Sequence, residues 1–449
     1  MKIAYFSPLN PQKSGISDYS EYLLEALMDK AEIDVWVEGF IPSNEFINTN
    51  FKIYDYVSNP EILVQLKEYD EIIYNIGNNP YYHTHIYNVF LKYNGIVILH
   101  EYVLYYLVTG YLLEYHNNPT MYLEELFYND DYNGYNEGLK ILSSEIPPLQ
   151  YKNPENLPLN KRLIHHARGI IVHSEYAKLE VLRINPFANC ITIGQIGPNT
   201  EKIKLSNMKK NILKKKWGIK NEELIIASFG YISPTKRIHH IIKALAQMDR
   251  KTEYKYLMVG EGDYVNKLIK KYNLEDKVIL TGFTNSEEFD ELIDLSDIVI
   301  NLRYPYMGET SAALIRALLL GKATIVSDIG WFGELPNDIV IKIPINEKNE
   351  VTLIKDAIQL LARNNVEKNK LEMNAITYAN NYLNPHVISN DILKFTMTVM
   401  KRYSEEKIIY FACDKICEVL DVLDATCYDS YIDKISKTLY DIFVTWEDK

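Results

Sequence analysis

Residues 297–336 read DIVINLRYPYMGETSAALIRALLLGKATIVSDIGWFGELP. Ile298, Val299, Ile300 and Leu302 form a short apolar run, the pattern of a strand buried on both faces. The run ends at Arg303 and a loop holding Pro305 and Gly308. Thr310 or Ser311 caps a helix over 312–320, and Gly321 falls where a left-handed residue closes such a helix. A second strand over 323–327 follows at once. Strand, loop, helix, strand is the repeating unit of a parallel sheet, whose strands need a helical crossover.

The chemistry of this unit lies at its loop–helix junction. The first turn of a helix leaves backbone N–H groups unpaired and carries partial positive charge, so it accepts phosphate. Arg303, at the carboxyl end of the strand, adds a charged fork to the same anion. Glu309 repels phosphate and fits a different task, accepting hydrogen bonds from sugar hydroxyls. A plain capped helix with a surface Arg and Glu reads the same residues, so spacing alone leaves both open.

Similar units extend in both directions. At the N-terminus a strand over 2–6 leads into Ser7-Pro8-Leu9-Asn10-Pro11-Gln12-Lys13-Ser14-Gly15 and a helix over 16–27. Gly15 lets backbone approach a ligand at the strand's carboxyl end. No GxGxxG dinucleotide fingerprint is present. Apolar runs recur at 33–37, 71–76, 95–99 and 169–172, with helical stretches between, and this alternation predicts a parallel sheet with helices on both faces. Asn78 and Asn79 follow the run 71–76, and His100 and Tyr102 follow the run 95–99. In open α/β sheets such strand ends face the ligand. Residues 102–151 break the alternation with a Tyr-rich, acidic helical region placed to roof a cleft and touch an acceptor.

Alternation resumes with strands over 224–229, 256–259 and 278–281. Between the first of these and its helix sits Gly230-Tyr231-Ile232-Ser233-Pro234-Thr235-Lys236-Arg237, a second candidate phosphate loop with two cations. From 354 onward the pattern is helical. Helices are expected over 385–401, 405–423 and 428–443. The last two carry apolar residues spaced to bury, among them Ile408, Phe411, Ile416 and Leu420, which predicts packing on the body of the chain or a homodimer contact.

Composition bounds the function. A chain of 449 residues with 47% apolar and 24% charged residues suits two globular domains. Net charge is −12, and residues 1–200 hold 13 Lys+Arg against 24 Asp+Glu, so about −11 lies there. That argues against nucleic acid and against anionic lipid on that surface. No apolar run approaches the roughly 18 residues of a membrane span, no signal-peptide pattern opens the chain, and a cytoplasmic location is expected. Cys190, Cys413, Cys417 and Cys427 form no metal or disulfide pattern. The 36 tyrosines read as compositional bias.

The ordered set FSPLNPQKSGISDYS, GNNPYY, ILHEY, VHSEYA, FGYISPTKR, VGEGD, LTGF and RYPYMGETSAALIRALLLGKATIVSD resembles the GT-B-fold retaining glycosyltransferases of family 4 over about residues 1–395. The resemblance implies two Rossmann-like doubly wound domains facing across a cleft: an acceptor domain over 1–200, a nucleotide-sugar donor domain over 215–384, and C-terminal helices over 385–449, the first crossing back to the acceptor domain. It implies that Gly15 faces the donor diphosphate, that His100 lies near the transferred sugar, and that Lys236 binds diphosphate. It also implies that Phe283 lies at the nucleobase and that Thr310 and Ser311 lie under the diphosphate. The donor is then a UDP-, GDP- or dTDP-sugar, the acceptor a glycan, lipid-linked or protein group, and no metal or other cofactor is required.

Two residues depart from the family pattern. Tyr231 replaces the usual Arg, leaving Arg237 or Arg303 to supply charge, and Arg316 replaces the second of two spaced Glu residues that typically holds ribose. These departures support an alternative, a non-catalytic scaffold or partner subunit. From sequence order no carboxylate pair can be assigned as nucleophile and acid, and the leaving-group oxygen is the family's proposed acceptor of the proton.

Overall fold

The computed structural model describes residues 1–198, 203–249, 252–346 and 348–422, with side chains through residue 404. Its first domain is built on a seven-stranded sheet with strand order β3-β2-β1-β4-β5-β6-β7. The strands are β1 (Lys2–Phe6), β2 (Glu32–Val37), β3 (Lys52–Asp55), β4 (Glu71–Ile76), β5 (Ile96–Leu99), β6 (Gly169–Val172) and β7 (Cys190–Thr192). The second sheet has β8 (Leu224–Phe229), β9 (Tyr254–Val259), β10 (Val278–Gly282), β11 (Ile298–Asn301), β12 (Ala323–Ser327) and β13 (Ile341–Ile343). Their order is β10-β9-β8-β11-β12-β13. Every strand pairing within the two sheets is parallel.

Helices on both faces bury both sides of the central strands, which explains their unbroken apolar runs. Every residue of β4, β5, β6, β11 and β12 is buried. Each fully buried Ile, Leu or Val contributes about 1.5–3 kcal/mol, so these strands anchor the domain cores. The flanking helices present a matching stripe: Tyr19, Leu23, Leu24 and Leu27 of the helix Gly15–Leu27 all face inward.

The order of each sheet creates one switch point. In the first, the chain leaves β1 toward β2 and β3, then returns to β4 on the other side. The loops after β1 and β4 therefore diverge and leave a crevice. In the second, β8 and β11 stand in the same relation. Thus the loops 7–14 and 77–79 share one crevice, and the loops 230–237 and 302–311 share the other.

The Tyr-rich region folds as the helix Tyr105–Gly110, a π-helical turn Tyr111–Tyr115 and the helix Pro119–Ser143, kinked at Asp130 and Asp131. The expected break between residues 401 and 405 does not occur. A single helix runs Pro385–Val422: no Pro or Gly interrupts 402–404, and Ser404, a residue type that could cap a new helix, instead donates its Oγ back to Met400 O at 2.9 Å. Near its start, Lys30 Nζ in the first domain donates to Ser389 Oγ at 2.6 Å and Asn390 Oδ1 at 2.8 Å. The expected packing of 405–423 rests on undescribed side chains, and the expected helix 428–443 lies outside the described residues. Among the described residues no helix is long and apolar enough to cross a membrane.

Candidate active site

The helix Ala312–Leu319 begins where the sequence places it. Ser311, not Thr310, is the cap: its backbone is extended and its Oγ accepts Leu314 N–H at 3.3 Å. Thr310 Oγ1 donates instead to Gln195 Oε1 in the first domain. Gly321 closes the helix at φ +64°, with Lys322 N–H reaching Ala317 O at 2.9 Å.

Arg303 leaves β11 with its backbone N–H fixed by Ser327 Oγ at 2.8 Å. Its Nε lies 2.9 Å from Glu309 Oε1. The approach is off the hydrogen-bond axis, so this buried N–H still has no acceptor. Glu309 Oε2 accepts Met307 N–H at 2.8 Å. Across the crevice, Lys236 folds back on β8 and donates to Phe229 O at 2.6 Å. Gly230 at φ +83° makes room for it, because a Cβ there would meet the ammonium. Burial, and then the charge of Arg303, hold Lys236 well below the usual lysine range. Two mutually repelling basic groups thus face one partly dry crevice, Arg303 beside the Glu309 carboxylate and Lys236 on a backbone carbonyl.

Arg237 is not available to that site, contrary to expectation. It takes a left-handed conformation at φ +52° and turns into the protein. There its Nε donates to Glu350 Oε1 at 2.6 Å, and an Nη donates to Glu350 Oε2 at 2.5 Å. Residue Tyr231 is 67% exposed and adds no charge. Arg316 is likewise committed. Its two Nη atoms reach Asp18 and Asp290, each at 2.7 Å, and so tie the helix Gly15–Leu27 to the second domain.

A cavity of about 600 Å³ opens beside Arg303. Arg303, Met307 and Glu309 form one wall; Asn78, Asn79, Tyr81, Glu101 and Tyr106 form the other. Asn78 Oδ1 accepts the N–H groups of Tyr106 and Leu107, and Asn79 Oδ1 caps the helix Pro80–Phe90. Tyr102, expected to touch an acceptor, does not line this cavity. Its ring is buried and its Cβ presses on Gly308, whose φ of +82° and missing Cβ permit the approach. Tyr106, in the first turn of the following helix, lines the cavity instead.

Glu101 is the residue that sequence reading passed over. Its Oε2 accepts Asn78 N–H at 3.2 Å. Burial pushes its carboxyl up to about 7, Glu309 adds to the rise, and Arg303 opposes it. The apolar-strand-then-HEY pattern places Glu101 at a strand end, but only the packing of the two domains sets it beside Glu309.

His100 is buried and is not among the residues lining the cavity. Its Nε2 lies 3.0 Å from Asn75 Oδ1, and its ring meets Tyr19 edge-on at 4.7 Å and His173 at 5.1 Å. Burial holds it neutral, well below the usual histidine range. Gly15 is exposed with open space where a Cβ would point. Phe283 is 59% exposed, and Lys13 of the β1 loop sits 4.4 Å over its ring.

Residues 209–381 match the family described as glycosyl transferases group 1. An uncharacterised glycosyltransferase of Methanocaldococcus jannaschii is 25% identical over 158 residues, 34% of this chain and 40% of that protein. The N-acetyl-alpha-D-glucosaminyl L-malate synthase of Bacillus anthracis is 26% identical over 126 residues, 27% of this chain and 32% of that one. The chain thus spans well under half the length of these curated relatives.

Solved structures match across both domains. HepE of Anabaena, crystallised with UDP and glucose, has a TM-score of 0.60 at 15% identity over 89% of this chain and 100% of its own. Sucrose-phosphate synthase of Thermosynechococcus elongatus has a TM-score of 0.61 at 15% identity, over 90% and 100%. The matched stretch, residues 209–381, therefore lies in the second half of a GT-B fold.

Proposed function

We propose that this protein is a retaining, nucleotide-sugar-dependent glycosyltransferase that moves a hexose to a glycan, lipid-linked or protein acceptor without a metal. Residues 1–200 serve as acceptor domain and 215–384 as donor domain. The observation that carries the reading is the crevice between β8 and β11, which Lys236 and Arg303 share, and where burial and then the charge of Arg303 depress the lysine. The Ser311-capped helix begins at the same crevice. A nucleoside diphosphate is the anion this arrangement suits, and its developing charge is met by Lys236, Arg303 and the first N–H groups of that helix. Gly15 leaves space opposite, Phe283 offers an exposed ring to a base, and Gly308 and Thr310 shape the loop. Asn78 and Asn79 lie on the acceptor side, and neutral His100 braces the wall behind them. The matched family and the UDP carried by HepE are consistent with such a donor.

Calorimetric titration with UDP-, GDP- and dTDP-sugars tests this. One donor class should bind at a single site, and Lys236→Ala should weaken it. A chain that binds none of them is a scaffold, the reading that the Asp18–Arg316 tie otherwise favours.

A further inference from the structure

Resting on that function, we propose that the acceptor is an amino sugar, and that it enters the cavity beside Arg303 with its ammonium group held by the Glu101 carboxylate. The cavity, about 600 Å³, is of the size that holds a small ligand. Its lining comes mainly from the first domain, residues 78–81, 101, 106, 149 and 150, which makes it a place for acceptor and not for donor.

Three charged side chains line the cavity, Glu101, Glu309 and Arg303. Two of them offset each other: Arg303 Nε lies 2.9 Å from Glu309 Oε1, and the other Glu309 oxygen accepts Met307 N–H at 2.8 Å. Glu101 makes no ion pair among the described residues; its Oε2 accepts Asn78 N–H at 3.2 Å. The cavity thus keeps one uncompensated carboxylate. A carboxylate held partly out of water without a cation is unfavourable, and this carboxyl accordingly rises to about 7, through burial first and Glu309 second. A ligand ammonium removes that cost and gains a charge-assisted hydrogen bond, whereas a neutral hydroxyl does neither. A diphosphate seated on Lys236 and Arg303 would draw further on the arginine's charge and leave the cavity still more in want of a cation.

The rest of the lining agrees. Tyr81, 75% exposed, and Tyr106, whose hydroxyl is spent on Tyr151 O at 2.9 Å, bring two aromatic rings to the cavity. Aromatic rings attract a cation and cover the apolar face of a sugar. The ligand must also carry a hydroxyl to receive the transferred sugar, so an amino sugar meets every requirement at once. Binding needs Glu101 ionised and the amine protonated. The titratable and charged groups facing Glu101 are Glu309, Arg303, Tyr81 and Tyr106, and its chain neighbour His100 is held neutral by burial. With the carboxyl at about 7 and an ordinary α-amine at about 8, the preference for the amine should peak between those values and fall on either side.

The test titrates the full chain, without nucleotide, with glucosamine, galactosamine and mannosamine, each against glucose, galactose or mannose, by calorimetry at about pH 7.5. At least one amino sugar should bind about tenfold or more tightly than its parent sugar. Glu101→Gln keeps the shape and removes the charge; it should bring the two within about twofold of each other, with the nucleotide-sugar Kd within about twofold of wild type. Glu101→Asp should keep part of the preference. Saturation with UDP, GDP or dTDP, whichever the donor titrations select, should leave amino-sugar binding in place, because donor and acceptor occupy different subsites. No preference in wild type, a preference that survives Glu101→Gln, or displacement of the amino sugar by the nucleoside diphosphate overturns the proposal. Failure of wild type to bind any nucleotide sugar would instead bring down the function on which it rests.

Discussion

Arg237 and Glu350 make the plainest residue-scale case. Their side chains are 5% and 0% exposed. Removing one partner of such a pair leaves the other charge buried and uncompensated, which costs about 3–5 kcal/mol. Arg237→Ala should lower stability by about that much in urea denaturation while the folded fraction binds donor as wild type does. Lost donor affinity with stability intact would return Arg237 to the site. The sequence could not separate Lys236 from Arg237, because adjacent cations at a loop end look alike. The left-handed turn at Arg237 sends its side chain to Glu350, while Lys236 folds back over β8 at the crevice. Lys236 and Arg303 were legible because each follows an apolar strand by a short loop. Glu101 was not legible as a partner of Glu309, because no local pattern records which loops two domains bring together.

At the scale of elements, strands and caps were readable because their signals are local. Ser311 illustrates the remaining ambiguity: Thr310 and Ser311 are equally good caps by residue type, and the contact of Thr310 with Gln195 decides between them. The carboxyl ends of β4, β5 and β6 carry another element-scale feature, three buried histidines. His83 is held at about 3 and His173 at about 4, in each case by burial, and His100 is also depressed. A histidine whose folded pKa lies below its unfolded value of 6.5 contributes stability fully above pH 6.5. That contribution is lost as pH falls toward the folded value. His83 alone should therefore remove up to about 1.4 kcal/mol per pH unit across that window. His83→Gln should be flatter than wild type by that slope when chemical denaturation is repeated at about pH 7, 6 and 5. Identical slopes would mean that His83 is not buried neutral.

For the whole molecule, alternating strands and helices were enough to predict two doubly wound domains, and the ordered motifs were enough to predict GT-B. How the domains meet was beyond reach. The contacts that set it join distant residues of no distinctive type: Asp18 with Arg316, Thr310 with Gln195, and Glu334 with the N–H groups of Glu175 and Tyr176. Those contacts bring Arg303 and Glu309 of one domain to the same cavity as Asn78, Asn79 and Glu101 of the other, and the proposed reaction depends on it. Turnover of UDP-, GDP- and dTDP-sugars by wild type and Lys236→Ala tests that dependence most directly. Wild type should release nucleoside diphosphate from one donor class. Lys236→Ala should do so about 30- to 1,000-fold more slowly at unchanged Tm, as expected when one charge-assisted contact worth about 2–4 kcal/mol in the transition state is lost. Equal rates in the two proteins, or no release by wild type from any donor, would contradict the account.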